Sequence, residues 1–230
     1  MKMNYLAVIG LVAVAYLSGC TRSLEVAYQA DAARLSNAAA LDKITLGVAK
    51  FEDKRAWFEE GNPQSESYVS MQGPWKFGLT YKETDYMPVK DIIQDVLVQE
   101  LTKAGFKAKA VDKVLSKSNS QSIKDIRQDQ ASDYILGGQI LAFEFANQPG
   151  MWTVTNRRSV ILDINLFKSG DAQLIMETPI AETVSQEYAM GVSHSVCAYN
   201  LINEVLKKAV RQIIQKTAES ISQKQAQGQN

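Results

Sequence analysis

The chain has 230 residues, 46% of them hydrophobic, with 25 Lys and Arg set against 25 Asp and Glu and a single histidine. This length allows one domain of ordinary size with a real core, and two domains would strain it. The charges balance and form neither a basic block nor a basic-aromatic stripe, so the sequence gives no support to a nucleic-acid or anionic-lipid surface.

Lys2 followed by the apolar run Tyr5 to Tyr16 has the build of a secretory leader, with about twelve apolar residues where a spanning helix needs about twenty. The run ends in Leu17-Ser18-Gly19-Cys20, which resembles the lipobox of bacterial lipoproteins, cleaved before the cysteine after diacylglycerol is attached to its sulfur. Residues 1–19 are expected to be a signal peptide and Cys20 the lipidated first residue of the mature chain. The alternative is an ordinary secretory signal cleaved elsewhere. The resemblance implies several acyl chains on Cys20, and several are needed because one chain binds a membrane only marginally. Thr21 stands where an aspartate would retain such a protein in the inner membrane, so the resemblance implies the periplasmic face of the outer membrane. With Cys20 lipidated, Cys197 has no partner in the chain. Beside Val196 and Leu201 it reads as a small buried hydrophobe, the alternative being a reactive or intermolecular thiol.

Residues 20–43 are expected to be the lipidated terminus and a linker: a strand-compatible patch from Leu24 to Tyr28, then Ala-rich sequence through Ala40. Ile44 to Phe51, apolar and β-branched around Gly47, predicts a strand at the sheet centre. From Glu52 to Met87 the pattern breaks into a long loop, within which Trp75 to Tyr81 alternates as a short strand and suggests a hairpin arm. Pro88 opens a helix with an apolar face of Ile92, Ile93, Val96, Leu97, Leu101 and Ala104, closed by Gly105. A strand from Phe106 to Val111 and a short helix from Ser122 to Gln130 follow.

Three long strands come next, Tyr134 to Ala146, Trp152 to Lys168 and Gln173 to Tyr188, with Ser169-Gly170-Asp171 as a hairpin turn. In the second of them Val160, Leu162, Ile164 and Leu166 share the parity of a buried face, and Ile161, Asp163, Asn165 and Phe167 the other. A long helix from Ser193 to Ser222 carries the stripe Leu201, Ile202, Val205, Leu206, Ala209, Val210, Ile213 and Ile214, and residues 223–230 read as a disordered tail. The expectation is a single α+β domain over 44–222. It has a mixed, largely antiparallel sheet with helices packed on one face, in the order strand, helix, strand, helix, three strands, helix.

Catalytic chemistry is not legible. His194 is the one histidine, no G-x-S-x-G elbow occurs, and a Cys197-His194 pair at helical spacing lacks an orienting third group. No metal-ligand spacing is present, and Gly137-Gly138 lies within a strand pattern, where it reads as a bulge or a close packing contact. The chain is expected to be no enzyme, with no metal and no cofactor beyond the covalent lipid on Cys20.

Two features stand out as candidate partner-binding elements. The first is Phe51-Glu52-Asp53-Lys54-Arg55, where the strand runs out; Asp53 and Arg55 share parity and are placed either to pair with each other or to meet a partner. The second is the aromatic content of the long loop: Trp57, Phe58, Tyr68, Trp75, Phe77, Tyr81 and Tyr86. These residues suit an interface, or alternatively a lid folded over the core.

The lipobox, the Leu24 to Tyr28 patch, the Gly47 to Arg55 segment and the helix exit Leu101-Thr102-Lys103-Ala104-Gly105-Phe106 together resemble the YajG-type envelope lipoproteins. More loosely they resemble the wider group with a CsgG-like or TolB-amino-terminal-like α+β domain. The resemblance implies an outer-membrane lipoprotein without known catalysis, and the leading expectation is a periplasmic module that binds an envelope protein partner in assembly or transport. Two alternatives are a carrier of lipid or a small apolar ligand and an oligomeric CsgG-like secretion component. The Trp152 to Lys168 run carries Arg157, Arg158, Asp163 and Asn165 and gives only a weak barrel signal.

Overall fold

A computed structural model describes residues 23–56, 58–71, 76–81, 87–115, 117, 122, 124–125, 131–189 and 194–227. Its strands are β1 (Ser23–Val26), β2 (Thr45–Lys50), β3 (Glu52–Asp53), β4 (Tyr68–Met71), β5 (Lys76–Tyr81), β6 (Lys107–Val114), β7 (Tyr134–Pro149), β8 (Thr153–Lys168) and β9 (Gln173–Ala189). Its helices are α1 (Ala38–Leu41), α2 (Pro63–Ser67), α3 (Val89–Ala104) and α4 (His194–Gln227). The class is α+β, as the order of apolar patterns predicts.

The spine of the sheet is β7. It pairs antiparallel with β8 along its length, and β8 pairs likewise with β9, which is the expected meander. Along the other edge of β7 the strands β2, β3 and β4 line up in succession, all parallel to it. β6 extends the sheet beyond β2, while β5 and then β1 extend it beyond β4. The hairpin arm read within the long loop is thus β4 and β5, and the central strand at Ile44 to Phe51 is β2, held between β6 and β7.

One face of this sheet carries the main core. Val160, Leu162, Ile164 and Leu166 of β8 are buried in one cluster with Ile92, Val96 and Leu97 of α3 and Ile202, Val205, Ala209 and Ile213 of α4. Spacing at three and four residues puts each helical set on one stripe, and burying each Leu, Ile or Val contributes about 1.5–3 kcal/mol. Pro88 caps α3 from just outside it, its carbonyl accepting the N–H of Asp91 and of Ile92. At the other end Phe106 N–H donates to Leu101 and Gly105 N–H to Thr102, with Gly105 at φ 116°. This is the Schellman closure that a glycine one residue past a helix allows.

Three expectations change. First, the segment read as a linker belongs to the domain from Ser23 onward. β1 pairs with β5, and Tyr28, Ala32, Ala38 and Leu41 are buried. Glu100 of α3 holds them by accepting the Tyr28 hydroxyl and the N–H groups of Asp31 (3.1 Å) and Ala32 (2.7 Å). Lys207 and Arg211 of α4 bind Asp31 from the other side. Second, the outer parity of β8 is not uniformly solvated. Asn165 and Phe167 are buried because Leu115, just after β6, lies over that end of the second face with Ala49 and Ile135. Third, α4 continues to Gln227, into the tail expected to be disordered from residue 223. Of the short helix read over 122–130, Ser122, Lys124 and Asp125 are helical and the remainder lies outside the described residues.

The Gly137-Gly138 pair is a close-packing device. Gly138 sits at φ 149°, its N–H donates to Leu115, and a Cβ there would come within 1.9 Å of the Asp163 carbonyl oxygen. The register shift of β7 falls beyond it, between Ile140 and Ala142.

Candidate partner-binding surface

Where β2 ends, the chain passes through Phe51 into β3, which runs beside Gln139 and Ile140 of β7. Strand alternation puts Asp53 and Arg55 on one side, and there they pair. Arg55 Nε donates to Oδ1 and Oδ2 of Asp53 at 2.8 and 3.0 Å, and Nη2 donates to Oδ2 at 2.5 Å. Nη2 also donates to the carbonyls of Ser65 and Glu66, 3.2 Å each, so the pair ties the end of β3 to α2. Both side chains are buried. Desolvation of two such charges offsets most of their attraction, so the pair fixes geometry more than it adds stability.

Beside the pair opens a cavity of about 520 Å³ lined by Phe51, Glu52, Lys54, Phe58, Glu60 and Lys90 among others. Its rim charges are matched locally. Lys54 meets Glu52 at 2.7 Å, Gln139 Nε2 donates to Glu52 at 3.0 Å, and Lys90 lies 4.0 Å from Glu66. The Glu52 carboxylate raises the Lys54 ammonium above the ordinary lysine pKa. Nearby Lys50 is raised too, first by its hydrogen bond to Asp112 and then by Asp91. Half-buried Phe58 beside a rim of paired opposite charges makes a surface suited to polypeptide, which offers apolar and mixed-charge groups together, while Phe51 is fully buried beneath it.

The sequence-derived candidates divide. Asp53, Arg55 and Phe58 line this one cavity. Tyr81 does not belong to an exposed interface: it is 1% exposed, donates to Asp95 Oδ2 at 2.5 Å and accepts Gln99 Nε2 at 3.1 Å. Burial, and then the Asp95 carboxylate, push its phenol above the usual tyrosine pKa. Phe77 takes its place in β5 opposite Val69. His194 opens α4, with Cys197 in the first turn. Cys20, Trp57, Trp75 and Tyr86 lie outside the described residues.

Two features at the far end of the β7-β8 hairpin were not anticipated. At the turn, Gly150 N–H donates to the Thr153 carbonyl at 2.7 Å and leaves Met151 and Trp152 82% and 77% exposed. The sequence signal was the turn pair Pro149-Gly150 followed by two large apolar residues, but Trp152 reads equally well as the first residue of a strand. Further down, Arg158 is buried with its guanidinium 4.6 Å from the Phe145 ring centroid, donating to Asn147 Oδ1 (3.1 Å) and the Arg157 carbonyl (2.8 Å). No carboxylate pairs with it among the described residues, and burial pushes its pKa down to about 10. No warning of that burial is visible in the local sequence.

No family model matches the chain, and no curated protein matches it in sequence. Among solved structures, it is similar to a Xanthomonas campestris protein of the DUF330 family. That match has 15% identity and a TM-score of 0.55 over 89% of this chain and 99% of the other. At that identity the likeness shows the fold. Looser likenesses include a minor lipoprotein from Acinetobacter baumannii (11% identity, TM-score 0.39, 80% of this chain and 96% of the other). Another is lipoprotein GNA1162 from Neisseria meningitidis (11% identity, TM-score 0.35, 72% of this chain and 96% of the other). At those TM-scores neither carries an argument.

Proposed function

We propose that the protein is a YajG-type envelope lipoprotein, tethered through lipid on Cys20 to the periplasmic face of the outer membrane. In this reading it works without catalysis or cofactor, as a protein-binding accessory in envelope assembly or transport. The observation that carries the reading is the apolar leader ending in Leu17-Ser18-Gly19-Cys20, with the folded domain beginning almost at once, at Ser23. A leader so close to the first strand is an address followed by a short tether. The cavity beside Phe58, rimmed by Glu52, Lys54, Glu60 and Lys90, is the surface this reading offers to a partner polypeptide.

The carrier alternative finds less support, because the space between sheet and helices is filled by Leu46, Val48, Val96, Leu97, Ile164 and Val205, all fully buried. For an oligomeric secretion component, β9 is the relevant edge, since among the described residues it pairs only with β8. That edge carries Pro179, Glu177, Glu182 and Glu187, residue types that keep sheet edges from joining.

The test is crosslinking in intact cells, capture of the lipidated protein, and mass spectrometry of what is attached, with an exported Cys20→Ser form and Phe58→Ser as controls. Envelope-assembly or transporter subunits recovered with the anchored protein, and reduced by Phe58→Ser, would support the reading. Recovery of the protein alone as a defined ring would replace it with the secretion component.

A further inference from the structure

The apex of the β7-β8 hairpin presents Met151 and Trp152 to solvent at positions where hairpin turns favour Gly, Asn and Asp. The apex is firmly held, because the ladder continues up to Pro149 opposite Val154 and Gly150 is bonded to Thr153. Two large apolar side chains are therefore carried on the end of a paired, 16-residue-long arm.

Strand directions fix where this arm points relative to the start of the domain. β7 runs toward the apex, and β4 is parallel to it. β5 is antiparallel to β4 and β1 is parallel to β5, so β1 runs away from the apex and its first residue, Ser23, lies at the apex-facing end. Ser23 aligns with Gly78, Gly78 with Tyr68, and Tyr68 lies two residues before Ser70, the partner of Glu144. Ser23 is thus level with Ala142, and at about 3.3 Å per residue the apex at Gly150 projects about 26 Å beyond it. Cys20 is three residues before Ser23, a reach of at most about 11 Å.

We infer that the Met151-Trp152 apex docks into the interfacial zone of the same bilayer that holds the Cys20 lipid, giving the domain a second membrane contact and a fixed lean. The inference rests on the anchored reading above. With the tether leaving from the apex-facing end and shorter than the projection of the arm, an anchored domain with that end toward the bilayer cannot hold the apex clear of it. The side chains suit that depth. Trp is an interfacial residue, and Tyr188, half-buried opposite Val154, adds a second aromatic ring just behind. Thr153 Oγ1 donates to the Glu187 carboxylate at 2.5 Å, and a carboxylate resists entry into hydrocarbon, so insertion stops at the two apex residues.

The test uses the lipidated mature protein in vesicles of phosphatidylethanolamine and phosphatidylglycerol, with and without lipids brominated on their acyl chains. Tryptophan emission is compared with that of Trp152→Ser, a surface-turn variant, so that the difference reports Trp152 alone. Brominated lipid should quench roughly half or more of that difference, as an interfacial indole requires. An unquenched difference in protein whose Cys20 is acylated, and which floats with the vesicles, would overturn the docking inference alone. Protein whose Cys20 carries no lipid and which does not float would overturn the anchored reading and this inference with it.

Discussion

The carboxylate of Glu100 receives the backbone N–H of Ala32 at 2.7 Å across 68 residues of sequence, in a site where Glu100 itself is only 2% exposed. Together with the Tyr28 hydroxyl and the Asp31 N–H, this bond fastens the entry segment onto α3. Glu100→Ala should cost about 2–4 kcal/mol in urea unfolding, since it leaves buried donors without an acceptor. Glu100→Gln should cost less because one carbonyl oxygen remains. Limited proteolysis of the Ala variant should open first between residues 27 and 42.

The Asp31 carboxyl is held below its ordinary pKa of 3.8, chiefly by the hydrogen bond from Lys207 and then by Arg211. A depressed carboxylate contributes stability above its unfolded pKa and loses it as pH falls through the folded one. Asp31→Asn should therefore lower the midpoint of urea unfolding near neutral pH, and the difference from wild type should vanish in strong acid. Asp31 is substantially exposed, so the effect should be small and should shrink further in high salt.

Tyr28 and Tyr81 point the other way. Burial is the first cause for both, followed by the Glu100 carboxylate for Tyr28 and the Asp95 carboxylate for Tyr81, and both phenols lie above the ordinary value of 10.0. Their stability is present in full below that value and is lost as pH rises beyond it. In an alkaline titration their tyrosinate absorbance should appear only with unfolding. Tyr28→Phe should lower stability near neutral pH, by removing the hydroxyl that Glu100 accepts, while making its fall in alkali less steep. Tyr81→Ser should lower stability sharply, as loss of a buried ring does, by about 3 kcal/mol or more.

For Asp53 and Arg55, either single replacement by Ala should cost about 3–5 kcal/mol, because a buried charge is left alone. The double variant Asp53→Leu/Arg55→Met should recover much of that loss. Additive losses in a double-mutant cycle measured by chemical denaturation would show that the two side chains act independently.

The legible parts of the fold were those written in local periodicity. The α4 stripe from Leu201 to Ile214, the cap pair Pro88 and Gly105, and the alternation of Val160 to Leu166 each state their face within one turn or a few strand residues. The Asp53-Arg55 pair was legible for the same reason, since parity alone puts the two side chains together. The entry segment was not, because Tyr28 and Ala32 owe their burial to Glu100, far along the chain, and an Ala-rich stretch has no apolar period of its own. Phe167 likewise depends on Leu115 arriving from beyond β6. The hairpin apex was missed because its exposure depends on β7 continuing through Pro149, and proline ordinarily argues against a strand.

The most direct test of the account is the intact mass of the protein recovered from the membrane fraction of the cells that make it, with fragmentation to locate its first residue. The account requires a chain that starts at Cys20 and carries covalent acyl lipid on that residue. A chain cleaved at another position, or a mature Cys20 without lipid, would contradict it.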